Sequence, residues 1–193
     1  MFTSLSTVAQ KPLRLTLQPG DVLPETLNWR IQDGYIKTSA WDDEGESIVL
    51  GIWGPGDWVT AAFSAIKPIE IQCISTVIVE QFEPSHEDIS ELLQRQIQNL
   101  EEIFLVNRIK LAEDRLLSLL TLISRRFGQV NSYGYRLSLK DMNLTHKALG
   151  DISGLTRVTV TKVLNRFKQD GVLEQASKDD LVVPLTAVAA AAG

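Results

Sequence analysis

Four side chains near residue 160 have the types and spacing needed to contact a nucleic acid. Arg157, Val158, Thr159 and Lys162 follow Thr156, a residue type that favours the N-cap of a helix. A guanidinium makes a forked hydrogen bond to a guanine edge, and hydroxyl and ammonium groups bind phosphate oxygens. The run therefore predicts a helix that presents its N-terminal face to double-stranded DNA.

The residues before this helix have the spacing of a helix-turn-helix. Thr145 is predicted to cap a first short helix, Gly150 allows the second helix to cross closely, and Gly154 lies where the chain needs a left-handed turn. The apolar contacts between the two helices are assigned to Leu149, Ile152, Leu155, Val160 and Val163. A plain helical hairpin with no DNA role is the alternative interpretation of the same pattern.

A β-hairpin is predicted after the second helix. Gly171 ends that helix, and the two apolar runs 172–175 and 181–183 flank the polar segment 176–180. This pattern is typical of the wing of a winged helix. Lys178 in the wing is positioned either to contact a backbone phosphate or simply to be solvated.

The N-terminal part of the chain, residues 13–83, is predicted to be β structure. Alternating apolar residues and Gly-Pro turns indicate strands at 13–17, 35–41, 47–53, 70–75 and 77–82. Short antiparallel strands at this spacing predict a small barrel or β-roll.

One long helix is predicted from Ser85, a plausible N-cap, to about Lys110. Its apolar residues repeat at intervals of four and three, as in a coiled coil. This seam consists of Leu93, Ile97, Leu100, Phe104, Asn107 and Leu111. We expect it to be a homodimer interface, because a helix of ~25 residues spans ~37 Å and is longer than a small barrel is wide. Packing of the stripe on the chain's own barrel is the alternative.

A second helix is predicted over about 112–127, with Gly128 as its end and a loop at 131–135. Its apolar face is assigned to Leu116, Leu117, Leu120 and Ile123. The Ala-rich tail 187–193 is expected to fray. The predicted organisation is a β-roll domain at 1–84, a dimerisation helix at 85–111 and a DNA-binding domain at 112–193. The fold class is therefore α+β.

Composition excludes several classes of function. The chain has 193 residues, one cysteine and two histidines, too few for a disulfide or a multi-cysteine metal site. The β-roll has no histidine, and the sequence has no Gly-rich phosphate loop or nucleophile motif, so we expect no enzyme and no metal. The segment 1–10 lacks the features of a signal peptide, and no transmembrane segment is apparent, so a cytoplasmic protein is expected. Cys73 is predicted to be a buried strand residue, and Trp41, Trp53 and Trp58 are assigned to the core.

Charge is distributed unevenly along the chain. Residues 115–193 carry 11 Lys+Arg against 6 Asp+Glu, and residues 1–114 carry 8 against 18. The basic C-terminal part is thus the one suited to a polyanion.

The order of these elements resembles the Crp–Fnr family of transcription regulators. Three stretches carry the resemblance: the two turns 18–21 and 54–57, the hinge 112–120, and the run 145–166. The resemblance implies a homodimer that binds a palindromic DNA site, with RNA polymerase as a further partner. The DNA-contacting set that it implies is Arg157, Val158, Thr159, Lys162, Thr145, His146, Thr156 and Lys178.

The recognition helix is most similar to that of the cyanobacterial nitrogen regulators of the NtcA type, which also begin with Arg-Val-Thr-Val-Thr. Val158 stands where the cyclic-AMP-responding members have a glutamate. This resemblance implies that Arg157 contacts guanine and that the site has GTA and TAC arms.

The β-roll departs from the cyclic-nucleotide-binding pattern. No arginine lies between Arg30 and Arg95, and Lys67 is the only cation near the expected phosphate position. A buried phosphate needs cationic donors, so cyclic AMP is not expected, and no matched arginine supports 2-oxoglutarate. His86 is a lone candidate for a haem ligand and is more simply a solvated residue, so no cofactor is expected and the effector is unknown. The alternative function is a sensor or interaction module of the same fold that no longer binds DNA.

Overall fold

The computed structural model describes residues 12–67 and 69–190. The segment 1–10, where no signal peptide was expected, and the last three residues of the tail lie outside the described residues. The strands are β1 Arg14–Leu17, β2 Trp29–Asp33, β3 Ile36–Trp41, β4 Ser47–Trp53, β5 Trp58–Val59, β6 Ile69–Cys73, β7 Val77–Gln81, β8 Gln129–Val130, β9 Gly134–Ser138, β10 Glu174–Gln175 and β11 Asp180–Pro184. The helices are α1 His86–Arg108, α2 Ala112–Phe127, α3 His146–Ser153, α4 Arg157–Gln169 and α5 Leu185–Ala190.

The N-terminal strands form two antiparallel sheets, in the orders β1-β7-β2-β5 and β4-β3-β6, that enclose a core of their own. This confirms the predicted β-roll. Strands β2 and β5 were missed, although Trp29 and Ile31 alternate with polar residues and are both buried. The core contains Trp53, as predicted. Trp41 does not belong to it: at the end of β3 it is 46% exposed, so its assignment to the core was wrong.

Helix α1 begins at the predicted cap. Ser85 and Asp88 form a reciprocal capping box, in which each side chain accepts a hydrogen bond from the other's backbone N–H. The helix ends at Arg108, because Ile109 and Leu111 have extended backbone. Leu111 was predicted as the last residue of the helical seam. It lies instead in the hinge, where it is the N-cap residue of α2.

Helix α2 has the predicted bounds and ends at Gly128. Most of its predicted apolar face is buried, together with Leu119, which the prediction omitted. The segment 131–135 was predicted as a loop. Its last two residues instead begin β9, which lies between β8 and β11 in a four-stranded sheet of order β10-β11-β9-β8.

The described part of the chain ends on a short helix. Helix α5 follows directly from β11, and Ala187 is buried against the core of the DNA-binding part. The expectation that the tail frays from residue 187 was therefore wrong for the residues up to 190. Among the described residues, no helix combines the length and apolar character required to cross a lipid bilayer.

A single hydrophobic core joins the roll to the C-terminal part. Val49, Ile52 and Ile74 of the roll belong to the same buried cluster as Leu119 of α2 and Leu149 of α3. The helix-turn-helix is thus packed against its own roll, and Thr145 at the start of α3 lies beside a cavity that roll residues also line.

Candidate nucleic-acid interface

The helix-turn-helix of α3 and α4 is held by the two predicted caps. The Thr145 hydroxyl accepts a hydrogen bond from the backbone N–H of Ala148 at 3.1 Å, and the Thr156 hydroxyl accepts one from Thr159 at 3.1 Å. Gly154 between the helices has φ +64°, the left-handed conformation that favours glycine. These local contacts fix where each helix begins.

Gly150 provides the close approach, although the neighbour is the turn and not the body of the second helix. A Cβ at this position would lie 2.5 Å from the carbonyl oxygen of Leu155. The predicted apolar contacts are formed, with Leu149, Ile152, Val160 and Val163 buried and Leu155 partly buried. The two helices therefore have one tight packing arrangement.

The N-terminal face of α4 is open to solvent. Arg157 and Lys162 are exposed, and Val158 is 62% exposed, which is high for an apolar residue on a helix whose other face is fully packed. Thr159 is partly buried, and its hydroxyl lies 2.9 Å from that of Thr156. The cap and the helix N-terminus thus present hydroxyls and backbone N–H groups beside one guanidinium, an arrangement suited to phosphates and base edges.

His146 lies between the two helices. Its Nδ1 is 2.8 Å from the Thr161 hydroxyl, which itself donates to the carbonyl oxygen of Arg157. Burial, with a smaller contribution from the positive Lys168 and Arg157, lowers the pKa of the His146 imidazole. One nitrogen of the ring therefore joins α3 to α4.

The wing is braced at its base. Arg136 of β9 forms an ion pair with Asp180 of β11, and the hydrogen bond from Arg136 is the largest cause that lowers the pKa of the Asp180 carboxyl. At the tip, the Gln175 side chain donates to the Lys178 carbonyl, and Lys178 itself is exposed. The tip therefore presents one ammonium group from a fixed hairpin.

Two arginines connect the helix-turn-helix to the hinge between α1 and α2. Arg115 donates to the carbonyls of Ile109 at 2.7 Å and of Ser153 at 3.2 Å, so it joins the hinge to the end of α3. Arg166 of α4 forms an ion pair with Glu113. These contacts tie the hinge and the start of α2 to α3 and α4.

Comparison with known proteins agrees with this geometry. Residues 114–185 match the profile of the Crp-like helix-turn-helix domain. Regulatory protein CysR of Synechococcus elongatus is 36% identical over 179 residues, which cover 91% of this chain and 85% of that protein. This chain belongs to the Crp–Fnr family of transcription regulators. Its members are DNA-binding proteins and not enzymes.

Other Crp–Fnr proteins are more distant. The global nitrogen regulator of Synechocystis is 27% identical over 177 residues, covering 83% of this chain and 76% of that protein. The predicted likeness to the nitrogen regulators is thus real but weaker than the likeness to CysR. FixK2 from Bradyrhizobium japonicum has the same fold, with a TM-score of 0.72 at 15% identity over 89% of this chain and 92% of that one.

The predicted homodimer seam on α1 faces solvent. Ile97 is 56% and Phe104 is 61% exposed, whereas Leu92, Asn99 and Ile103 on another side of the helix are buried against the rest of the chain. These stripe residues are thus not buried against the chain's own roll in the protomer, which favours the dimer interpretation over the alternative. The exposed predicted seam residues of α1 are Leu93, Ile97, Leu100 and Phe104.

A cavity of about 320 Å³ lies between the roll and this stripe. It is bounded by the roll residues Trp53 and Phe63 and by Leu93 and Ile97 of α1. Among the described residues no arginine or lysine lines it, and Lys67 is exposed elsewhere. His86, the lone candidate for a haem ligand, is exposed at the start of α1.

A polar cluster that the sequence does not indicate lies where the roll, α1 and α2 meet. The Asp57 carboxylate, 6% exposed, accepts hydrogen bonds from Arg95 of α1 at 3.0 Å and from Arg126 of α2 at 3.2 Å. Arg126 also donates to the side chain of Asn99. The turn 54–57 was visible in the sequence, but its arginine partners lie 38 and 69 residues further along, and no local pattern indicates them.

Proposed function

We propose that this Crp–Fnr regulator is a cytoplasmic homodimer that binds a palindromic DNA site through Arg157 and its neighbours, without cyclic AMP. The observation that carries the proposal is the exposure of Arg157 and Val158 at the start of a helix that is rigidly packed behind. A solvent-exposed valine beside a free-standing guanidinium is suited to a groove that offers both a methyl group and hydrogen-bond acceptors.

Sequence preference follows from the chemistry of these two side chains. Arg157 has the forked donor that matches O6 and N7 of guanine, and Val158 accepts no hydrogen bond but packs against a thymine methyl group. These contacts favour arms of the GTA and TAC type. A second copy of α4 about one DNA turn away, ~34 Å, would read the symmetric arm.

The remaining residues of the proposed DNA-contacting set are assigned to the sugar-phosphate backbone of the DNA. Thr145, Thr156 and Lys178 are exposed at helix starts and at the wing tip, where hydroxyl and ammonium groups meet phosphate oxygens. Lys162 and Thr159 line a groove between α4 and the hinge that precedes α2. His146 would contribute through Nε2, since its Nδ1 contacts Thr161. Such contacts add affinity and salt dependence rather than sequence preference.

Dimerisation is supported by the exposed stripe on α1. Exposed apolar residues at coiled-coil spacing are costly in water and gain from a matching surface. Asn107 of the predicted seam is only partly exposed, and its side-chain oxygen is enclosed by the protomer itself, so the support for pairing comes from the exposed apolar residues of the stripe.

The cavity beside the stripe argues against a cyclic nucleotide. Its described lining has no cationic side chain, and burying a phosphate without one is strongly unfavourable. The proposal therefore names no small-molecule effector. RNA polymerase is the further partner that we propose for the DNA-bound dimer, on the basis of family membership.

A mobility-shift titration tests the proposal. Labelled palindrome with GTA and TAC arms is compared with a scrambled duplex of equal length, for wild type, Arg157→Ala and Arg125→Ala as a matched exposed control. We expect Arg157→Ala to weaken binding to the palindrome about 10- to 100-fold, the effect of one lost bidentate base contact, and to affect the scrambled duplex much less. Equal weakening on both duplexes, or no preference by the wild type, would refute sequence-specific recognition by Arg157.

A further inference from the structure

We infer that Arg126 is a positioning residue that sets the spacing between the two recognition helices, and with it the operator spacing that the dimer accepts. This inference rests on the proposed homodimer. It is drawn from the cluster of Arg126, Asp57, Asn99 and Arg95, which we call the polar clamp.

The polar clamp joins the parts of the molecule that must keep a fixed geometry. Asp57 belongs to the roll, Asn99 and Arg95 to α1, and Arg126 to α2. Helix α1 carries the stripe that faces the second copy, and α2 is the helix on which α3 and α4 pack. Arg126 is thus a direct polar link from the dimer axis and the roll to the DNA-binding part.

Arg126 lies far from the hinge, so its contacts restrict the angle of α2 strongly. Leu111 lies in the hinge before α2, and Arg126 is 15 residues further on, or ~22 Å at 1.5 Å per residue. A contact at that distance restricts the angle of α2 more strongly than one near the hinge. One base-pair step is only ~3.4 Å, so a modest swing of α2 moves α4 out of register with its half-site.

The polar clamp is directional, because hydrogen bonds depend on the angle between donor and acceptor. The guanidinium of Arg126 divides its donors between the carboxylate of Asp57 and the amide oxygen of Asn99, and both acceptors are buried. Asp57 is itself held, because it also accepts a hydrogen bond from the backbone N–H of Gly54 at 2.9 Å. A planar fork between two fixed acceptors permits one orientation of the Arg126 guanidinium.

Packing next to the polar clamp reinforces that orientation. Phe127 meets the ring of Tyr35 edge to face at 5.3 Å, and a Cβ on Gly54 would lie 2.6 Å from the Phe127 ring. The end of α2 therefore docks on the roll through a hydrogen-bonded residue and its aromatic neighbour. Neither residue belongs to the proposed DNA-contacting set, so a change here removes no proposed DNA contact.

The test measures the preference for spacer length. Duplexes with GTA and TAC arms are made with the best spacer and with one base pair more or fewer, together with a single half-site duplex. Affinities are measured for wild type, Arg126→Gln, Asn99→Ala and Arg125→Gln. The last variant removes the same charge from the neighbouring exposed position of α2. Circular dichroism and sedimentation verify that each variant is folded and dimeric.

We expect the wild type and Arg125→Gln to prefer the best spacer by about 10-fold or more over its neighbours, the effect of about one lost base contact. Arg126→Gln and Asn99→Ala are expected to bind the three spacers within about 3-fold of one another and to bind the half-site as the wild type does. If Arg126→Gln does not fold, Asn99→Ala, which keeps every charge, decides the question.

Two other outcomes are distinguishable. Spacer profiles of Arg126→Gln and Asn99→Ala that match the wild type would overturn the role of Arg126 and leave the proposed function intact. A wild type that binds the palindromes no better than the half-site would overturn the proposed dimeric recognition itself.

Discussion

The side-chain amide of Asn143 donates a 2.8 Å hydrogen bond to the backbone carbonyl of Ile74, and so ties the turn before α3 to the β-roll. Asn143 has φ +49°, the one non-glycine residue with positive φ in the part of the chain that the structure describes. Its neighbour Leu144 is buried in the core shared by the roll and the DNA-binding part. The turn that precedes the helix-turn-helix is therefore fixed to the β-roll by a hydrogen bond and by apolar packing.

Two substitutions at Asn143 separate the backbone contribution from the hydrogen bond. Asn143→Gly and Asn143→Ala both remove the bond to Ile74, but only alanine is strained at positive φ. We expect Asn143→Ala to be less stable than Asn143→Gly by about 1 kcal/mol, measured by urea unfolding. Equal stability of the two variants would show that the left-handed conformation is not retained in solution.

Gly150 tests the tight packing of the helix-turn-helix. In an ordinary helix, glycine to alanine stabilises by about 1 kcal/mol. Here the new Cβ would meet a backbone carbonyl oxygen at 2.5 Å, so we expect Gly150→Ala to destabilise the protein by about 2 kcal/mol in urea unfolding. Asp151→Ala, at the exposed next position, should change stability by less than about 0.5 kcal/mol. A stabilised Gly150→Ala would contradict the close approach to Leu155.

Thr156 is predicted to contribute to stability through its cap alone. Thr156→Ala removes the acceptor for the Thr159 N–H and should cost about 1 kcal/mol, whereas Thr156→Ser keeps the hydroxyl and should be within a few tenths of the wild type. Thermal or urea unfolding without DNA measures this directly. If alanine and serine behave alike, the hydrogen bond does not stabilise α4.

The exposed stripe on α1 predicts an oligomeric state. Phe104→Glu places a charge in the centre of the seam, where a second copy would have to desolvate it, and we expect a dimer to become a monomer in sedimentation velocity. Gln98→Glu adds the same charge on another side of the helix and should leave the dimer intact. A wild type that is monomeric at micromolar concentration, or a dimeric Phe104→Glu, would remove the support for this interface.

Local features of the fold were predictable because they depend on neighbours in sequence. The caps at Ser85, Thr145 and Thr156 and the glycine at 154 follow from which backbone groups need partners and from positive φ. The long strands were evident from alternation. Short strands such as β8 were the hardest elements to predict. Its two residues are both exposed and therefore show no hydrophobic pattern.

Long-range features were not predictable from one sequence. The polar clamp joins residues 38 and 69 positions apart, and Trp41 looks like a core residue until the register shows that it ends an exposed hairpin. Leu111 fits the seven-residue repeat of the seam, yet the chain leaves the helix before it. The proposed DNA-binding face could be predicted because its residues are adjacent in sequence, whereas the residues of the polar clamp are dispersed over three elements.

Cys73 provides a pH-dependent prediction. It is buried at the end of β6, and burial, with a smaller contribution from Asp21, raises the pKa of its thiol to about 11. The thiolate is the reactive form, so at pH 8 we expect iodoacetamide to modify the folded protein at least about 100-fold more slowly than the protein in urea. Rapid modification of the folded protein would show that β6 opens readily.

The same shift has a definite sign for stability. The unfolded thiol loses its proton near pH 9.0 and the folded thiol near 11, so the folded state holds more protons in this interval. The contribution of the thiol to stability is therefore complete below about pH 9 and is lost as the pH rises toward 11. Cys73→Ala lacks this term, so its stability should fall less than that of the wild type between pH 8 and about pH 11 in urea unfolding. Parallel pH profiles of the two proteins would show that the thiol titrates alike in both states.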